Sequence, residues 1–171
     1  MHMKSTIHAF LALFLLTACS KSVDDDLGES TNFMKLTLGD KEEVYTDVSA
    51  RWIEGGNSLE VKGTSDGSSW VVFSVMSEGT RVSAGNYALD DNSPYTIVAL
   101  HNRTENNIQL NFAATRNTLS TLDKFELKLD HINDRVVEGT FSGTLIYVHG
   151  QEVIRSIELK GGSFSTAIGA H

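Results

Sequence analysis

From Phe33 onward, apolar and polar residues alternate with period two. Leu59, Val61 and Gly63 fall on one side of their segment, and Glu60 and Lys62 on the other. Ile108, Leu110 and Phe112 alternate with Gln109 and Asn111, and Phe125, Leu127 and Leu129 with Glu126, Lys128 and Asp130. Later, Val137, Phe141, Leu145 and Tyr147 share one face, and Val153, Ile157 and Leu159 share another. Side chains along a strand point alternately to opposite faces, so this pattern predicts antiparallel sheet with one face buried and one wet. Helical spacing is rare: Leu119, Leu122 and Glu126 suit one short turn at most.

Turn chemistry separates the runs, at Gly55-Gly56-Asn57, Asp66-Gly67, Glu78-Gly79, Asp91-Asn92-Ser93-Pro94, Glu105-Asn106-Asn107, Arg116-Asn117, Asn133-Asp134, His149-Gly150 and Gly161-Gly162. Gly, Asn and Asp tolerate the positive φ of tight hairpins. Pro94, the single proline, falls in a turn, where it removes no ladder hydrogen bond. The expectation is an all-β domain of about nine to ten antiparallel strands, mostly in meander order. One open sheet would leave its apolar face wet, so the strands must form a β-sandwich or a closed barrel. Periodicity does not separate the two, and the sandwich is the preferred expectation.

The first 32 residues obey a different pattern. Lys4 precedes an apolar run of about eight residues, Ala9 to Leu16, far short of the roughly 20 that span a bilayer. The run ends in Leu16-Thr17-Ala18-Cys19, which resembles the lipobox of bacterial lipoprotein signal peptides. That resemblance implies a signal peptide over residues 1–18, cleavage, and lipidation of Cys19. Two or more acyl chains hold a protein stably on a membrane, since each buried methylene contributes about 0.8 kcal/mol. Ser20, where an Asp would imply the inner membrane, points to the outer membrane by the same resemblance. Ser20-Lys21-Ser22-Val23-Asp24-Asp25-Asp26 is similar to the acidic surface-export signals of Bacteroidetes lipoproteins, and it also suits a plain solvated tether. Residues 19–32 lack periodic apolar positions and read as a flexible acidic tether, spanning roughly 20 Å as a random coil. Residues 33–171 form the single domain.

Composition narrows the function classes. The 153 residues after the signal suffice for one core without staples. Cys19 is the only cysteine, so the domain has no internal disulfide, cysteine nucleophile or thiolate metal site. The net charge of −8 becomes −9 when Lys4 leaves, and no basic patch is visible to neutralise phosphates, so no nucleic-acid partner is expected. No phosphate loop, paired zinc histidines, nucleophile elbow or EF-hand spacing occurs, and neither a catalytic residue nor a cofactor is expected.

A few residue groups remain open to two readings. His101, His131, His149 and His171 suit ordinary edge and turn positions better than a metal site, and none is assigned. Asp90, Asp91 and Asn92 offer oxygens that calcium accepts, yet a turn needs the same residues. Trp52, Trp70, Tyr95 and Tyr147, with Tyr87, are large amphipathic rings. Such rings stack on sugars and anchor interfaces, and equally fill small β cores. Trp70-Val71-Val72-Phe73 is apolar on both faces, as a strand covered on both sides would be. Asn102-Arg103-Thr104 matches a eukaryotic glycosylation acceptor and is incidental in the bacterial context that the lipobox resemblance implies.

Val136-Val137-Glu138-Gly139-Thr140-Phe141-Ser142-Gly143-Thr144-Leu145, followed by Gly161-Gly162-Ser163-Phe164-Ser165, resembles the terminal hairpin of small all-β Bacteroidetes lipoproteins. Ala84-Gly85-Asn86-Tyr87-Ala88-Leu89 is similar to a strand entry common in them. The resemblance implies fold and location and no activity. Gly139 and Gly143, on the inward face around Phe141, leave room for its ring or let the strands bend. The functional expectation is an outer-membrane lipoprotein that binds a glycan or an envelope protein without catalysis. The alternative is a structural, envelope-assembly or inhibitor-type lipoprotein that meets a protein through a sheet face or edge strand.

Overall fold

The computed structural model describes residues 32–89, 93–115, 122–150 and 152–169. The signal segment, nearly all of the tether, Asp90 to Asn92, Leu119 and His171 lie outside them, so the lipobox and calcium readings are not addressed by the fold. The described residues build eleven strands: β1 (Phe33–Leu38), β2 (Lys41–Tyr45), β3 (Asp47–Ile53), β4 (Ser58–Thr64), β5 (Trp70–Ser77), β6 (Gly85–Ala88), β7 (Tyr95–Glu105), β8 (Ile108–Thr115), β9 (Lys124–Ile132), β10 (Val136–His149) and β11 (Glu152–Ala167). One 3-10 turn, Glu54–Gly56, joins β3 to β4. The all-β antiparallel expectation holds, with slightly more strands than expected. Alternation does not mark β2, whose Lys41-Glu42-Glu43 is polar on both faces, and β6 is only four residues long.

All eleven strands belong to one sheet, ordered β2-β1-β11-β10-β8-β7-β5-β4-β3, with β9 and then β6 branching from β10. Two long strands make this possible. The first part of β10 pairs β9, from Val137 opposite Ile132 to Thr144 opposite Lys124, and its far part reaches β8 at Ile146 opposite Ala113. Strand β11 pairs β10 along its length and β1 on its other edge. Beyond β1 it runs beside β3, with a parallel bridge between Ala50 and Ile168. The sheet thus curls on itself into a nearly closed, barrel-like body, and the preference for two separate sheets is corrected. Closure removes most exposed edges, and the seam is held by Gly169 N–H donating to Ala50 O (2.8 Å) and Thr166 Oγ1 donating to Val48 O (3.0 Å).

The interior is filled by the predicted inward positions. Phe73 on β5 meets Phe125, Phe141 and Phe164 from β9, β10 and β11 at centroid separations of 5.6, 5.1 and 5.2 Å. These rings bridge opposite walls, each burial worth about 1.5–3 kcal/mol, with about 0.5–1.5 kcal/mol more per ring pair. Three sequence expectations fail locally. Ile108, placed inward by alternation, is 61% exposed, because it starts β8 beyond the barrel rim after the tight Asn106-Asn107 turn. Gly161-Gly162 is no turn but lies inside β11. There the register slips against both neighbours, from Phe141/Gly162 to Gly143/Leu159 and from Lys35/Ser163 to Thr37/Lys160. Gly161 sits at φ +56°. The extra residue is a β-bulge, which uses glycine's access to positive φ to bend the strand. Nor does a helical turn form at Glu126, which lies in β9.

Candidate functional site

The bulge shapes the outer surface. Where β11 bends at Gly161-Gly162, a depression of about 610 Å³ crosses four strands, lined by Asn86 on β6, Glu126 and Lys128 on β9, Thr140 and Ser142 on β10, and Ser163 on β11. A second depression of about 370 Å³ continues it toward Lys124, Thr144, Glu158 and Lys160, sharing Glu126, Ser142 and Gly161 with the first. Both volumes fall in the range of small-molecule sites. The glycines keep the floor low, since no side chain rises from β11 between Lys160 and Ser163. Thr140, Ser142 and Thr144 line it because β10 alternates inward apolar positions with outward hydroxyls.

Its electrostatics are self-compensated. Lys128 Nζ lies 2.6 Å from Asp130 Oδ1, and Lys160 Nζ 3.0 Å from Glu158 Oε2. The hydrogen bond that Lys160 donates to Glu158 holds its ammonium above its ordinary pKa. Lys124 is flanked on the groove wall by Glu126, two residues along β9. The hydroxyl of Ser163 is buried and has no hydrogen-bond partner among the described residues.

The aromatic candidates do not share this surface. Trp52 is 6% exposed at the barrel end that also holds the β3–β4 turn, and the Arg81 guanidinium lies 3.9 Å from its ring centroid. Arg81 in turn pairs with Asp134 at 2.8 Å. Tyr95 is half-buried at that same end and packs edge-on against Tyr87, centroids 5.0 Å apart. Trp70 and Tyr147 are half-buried toward the opposite end, Tyr147 against Phe112 at 5.9 Å. The barrel thus brings Trp52 and Tyr95 to one end and Trp70 and Tyr147 toward the other, and builds no exposed aromatic row from the four. Tyr87 and Phe141 line the first depression and Phe125 the second, and all three rings are buried.

The histidines are also dispersed. His101 is wholly buried, donates from Nδ1 to Trp70 O at 3.0 Å and stacks on Phe112 at 6.0 Å, leaving Nε2 without a partner among the described residues. Burial pushes its pKa down; the bond to Trp70 opposes this, Arg103 adds to it and Glu43 opposes it. His131 is exposed near the β9–β10 turn, accepting at Nε2 from Asn133 Nδ2 at 3.0 Å, and His149 lies at the far end of β10. No group of three metal-ligating side chains occurs among the described residues. Asn102 is buried and donates to Asn111 across the β7–β8 ladder, which leaves it inaccessible to a glycosylating enzyme.

No family model, curated protein or solved structure matches the chain. The groove therefore rests on its own geometry. Sequence reasoning singled out none of its polar residues as a site. The available signals were Gly161-Gly162 within a strand and the hydroxyl alternation Thr140, Ser142, Thr144, which carries no chemistry until a bend makes the face concave.

Proposed function

We propose that this protein is a binding module of the bacterial envelope, held at the outer membrane by acyl chains on Cys19 and engaging its ligand through the β6–β9–β10–β11 groove. The observation that carries this reading is the groove itself, a concave hydrogen-bonding surface formed by a glycine bulge in the longest strand. Hydroxyls, an amide and mutually paired charges suit recognition by hydrogen bonds and shape. Attachment through residue 19 fits a domain whose first described residue is tied to its last strand, Ala167 N–H donating to Asn32 Oδ1 at 3.0 Å.

The protein-only alternative through an edge strand has less support. Strand β2, an edge among the described residues, exposes Val44, yet Lys41, Glu42 and Glu43 give it the charges that discourage strand addition. The test is amide chemical-shift mapping of the intact protein during a screen of glycans and envelope proteins. Ligands should perturb β9, β10 and β11 around Ser142, and Ser142→Trp should abolish the response. Footprints that all fall elsewhere, or survive that substitution, refute the groove as the binding site.

A further inference from the structure

We propose that the groove takes a neutral, hydroxyl-rich oligosaccharide laid across β9, β10 and β11. The proposal rests on the groove being the ligand site and adds the chemical class of the ligand.

Charge is the first argument. The chain as a whole carries −8, yet the groove is lined by three lysines, Lys124, Lys128 and Lys160, and two carboxylates, Glu126 and Glu158, with Asp130 paired to Lys128 beside it. Two of these pairs are in direct contact. An anionic ligand would need cations in excess, and a cationic one carboxylates in excess. A locally balanced patch on an acidic protein favours neither.

The second argument is the kind of polar group presented. Thr140, Ser142, Thr144 and Ser163 each carry a hydroxyl that both donates and accepts, and Asn86 adds an amide that does the same. Sugar hydroxyls have that same dual character, so every rotamer of the ligand finds a partner. The Ser163 oxygen is buried at the groove wall and unpartnered among the described residues, so it would reach a ligand only if its side chain turned outward. The third argument is the floor: Gly161 and Gly162 present bare backbone over the Phe141 ring, a low surface against which a pyranose face can lie. A protein loop would fill the groove less well, because its backbone needs strand edges and those under the groove at β9, β10 and β11 are already paired on both sides.

The experiment titrates intact protein with maltohexaose, cellohexaose and xylohexaose, with a heparin hexasaccharide and an oligogalacturonate as anionic comparators, reading amide shifts. At least one neutral oligosaccharide should perturb β9, β10 and β11. Ser142→Ala should weaken it about three- to tenfold, the loss of one neutral hydrogen bond. Thr140→Arg, which unbalances the charge, should weaken neutral binding and raise affinity for the anionic pair. A wild-type preference for the anionic sugars, or no response to any neutral one, overturns the proposal. A peptide or protein footprint in the groove, blocked by Ser142→Trp, overturns the sugar assignment while leaving the groove as the site. Sugar binding mapped outside the groove overturns both.

Discussion

Gly162 stands opposite Phe141 in the β10–β11 ladder, and a Cβ on it would lie 2.7 Å from three atoms of the ring. The ring is central to the core and cannot retreat, since Phe73 and Phe164 lie against it at 5.1 and 6.2 Å. Gly162→Ala should therefore overpack the core and cost about 1–3 kcal/mol, read as a lower urea midpoint at unchanged slope. Phe141→Leu in the same chain should recover part of the loss. Purely additive effects of the two changes would show that the ring contact is not the cause.

His101 should make stability pH-dependent. Burial depresses its folded pKa below the ordinary value near 6.5, with Arg103 adding to the effect and the Trp70 carbonyl and Glu43 opposing it. Above about pH 7 neither folded nor unfolded imidazole binds a proton, and the group contributes no slope. Below about 6.5 the unfolded chain takes up a proton that the folded one resists, so stability falls with pH until the folded value is reached. Urea melts of wild type and His101→Gln from pH 5 to 8 should give stability curves that converge or cross on acidification. Parallel curves would mean that His101 titrates normally in the fold.

The seam of the barrel offers a local test. Thr166 is fully buried and donates to Val48 O, joining β11 to β3 beside the Gly169–Ala50 bond. Thr166→Val keeps the shape and leaves that carbonyl without its partner, a loss of about 1–3 kcal/mol. Hydrogen exchange should accelerate in β3 more than in β10, which is paired on both sides. Equal acceleration throughout would point to global destabilisation and remove the seam from the explanation.

Cys19→Ala tests the anchor without touching the fold. Fractionation should move the protein from the membrane pellet to the soluble fraction, since lipidation requires the thiol. Retention in the pellet would defeat the lipoprotein reading and leave the groove proposal standing.

Much of the body was legible in the sequence because alternation is a local signal. Leu59/Val61/Gly63 and Phe125/Leu127/Leu129 are buried as their spacing predicts. Where local pattern and position disagree, position wins: Ile108 keeps the phase of its strand but projects beyond the rim. The Gly161-Gly162 pair shows the complementary error. Two glycines in sequence suit a turn or a bulge, and only strands on both sides choose the bulge. The rings were chosen for chemistry they share with core residues, and burial claimed Trp52. The groove hydroxyls gave no signal, because serines and threonines on a wet strand face are ordinary until the sheet curves.

By itself the sequence determined that the described domain is all β, which face of most strands is buried, and where most hairpins turn, since each depends on neighbours a few residues apart. Tertiary structure alone decided that β1 lies on β11, with Asn32 bonded to Ala167 across 135 positions, and that β3 closes against β11. It also decided that the wet face of β9, β10 and β11 is hollow. Period two states which way a side chain points but not which strand lies alongside. Partnership is settled by filling one common core, and the groove is a consequence of that settlement.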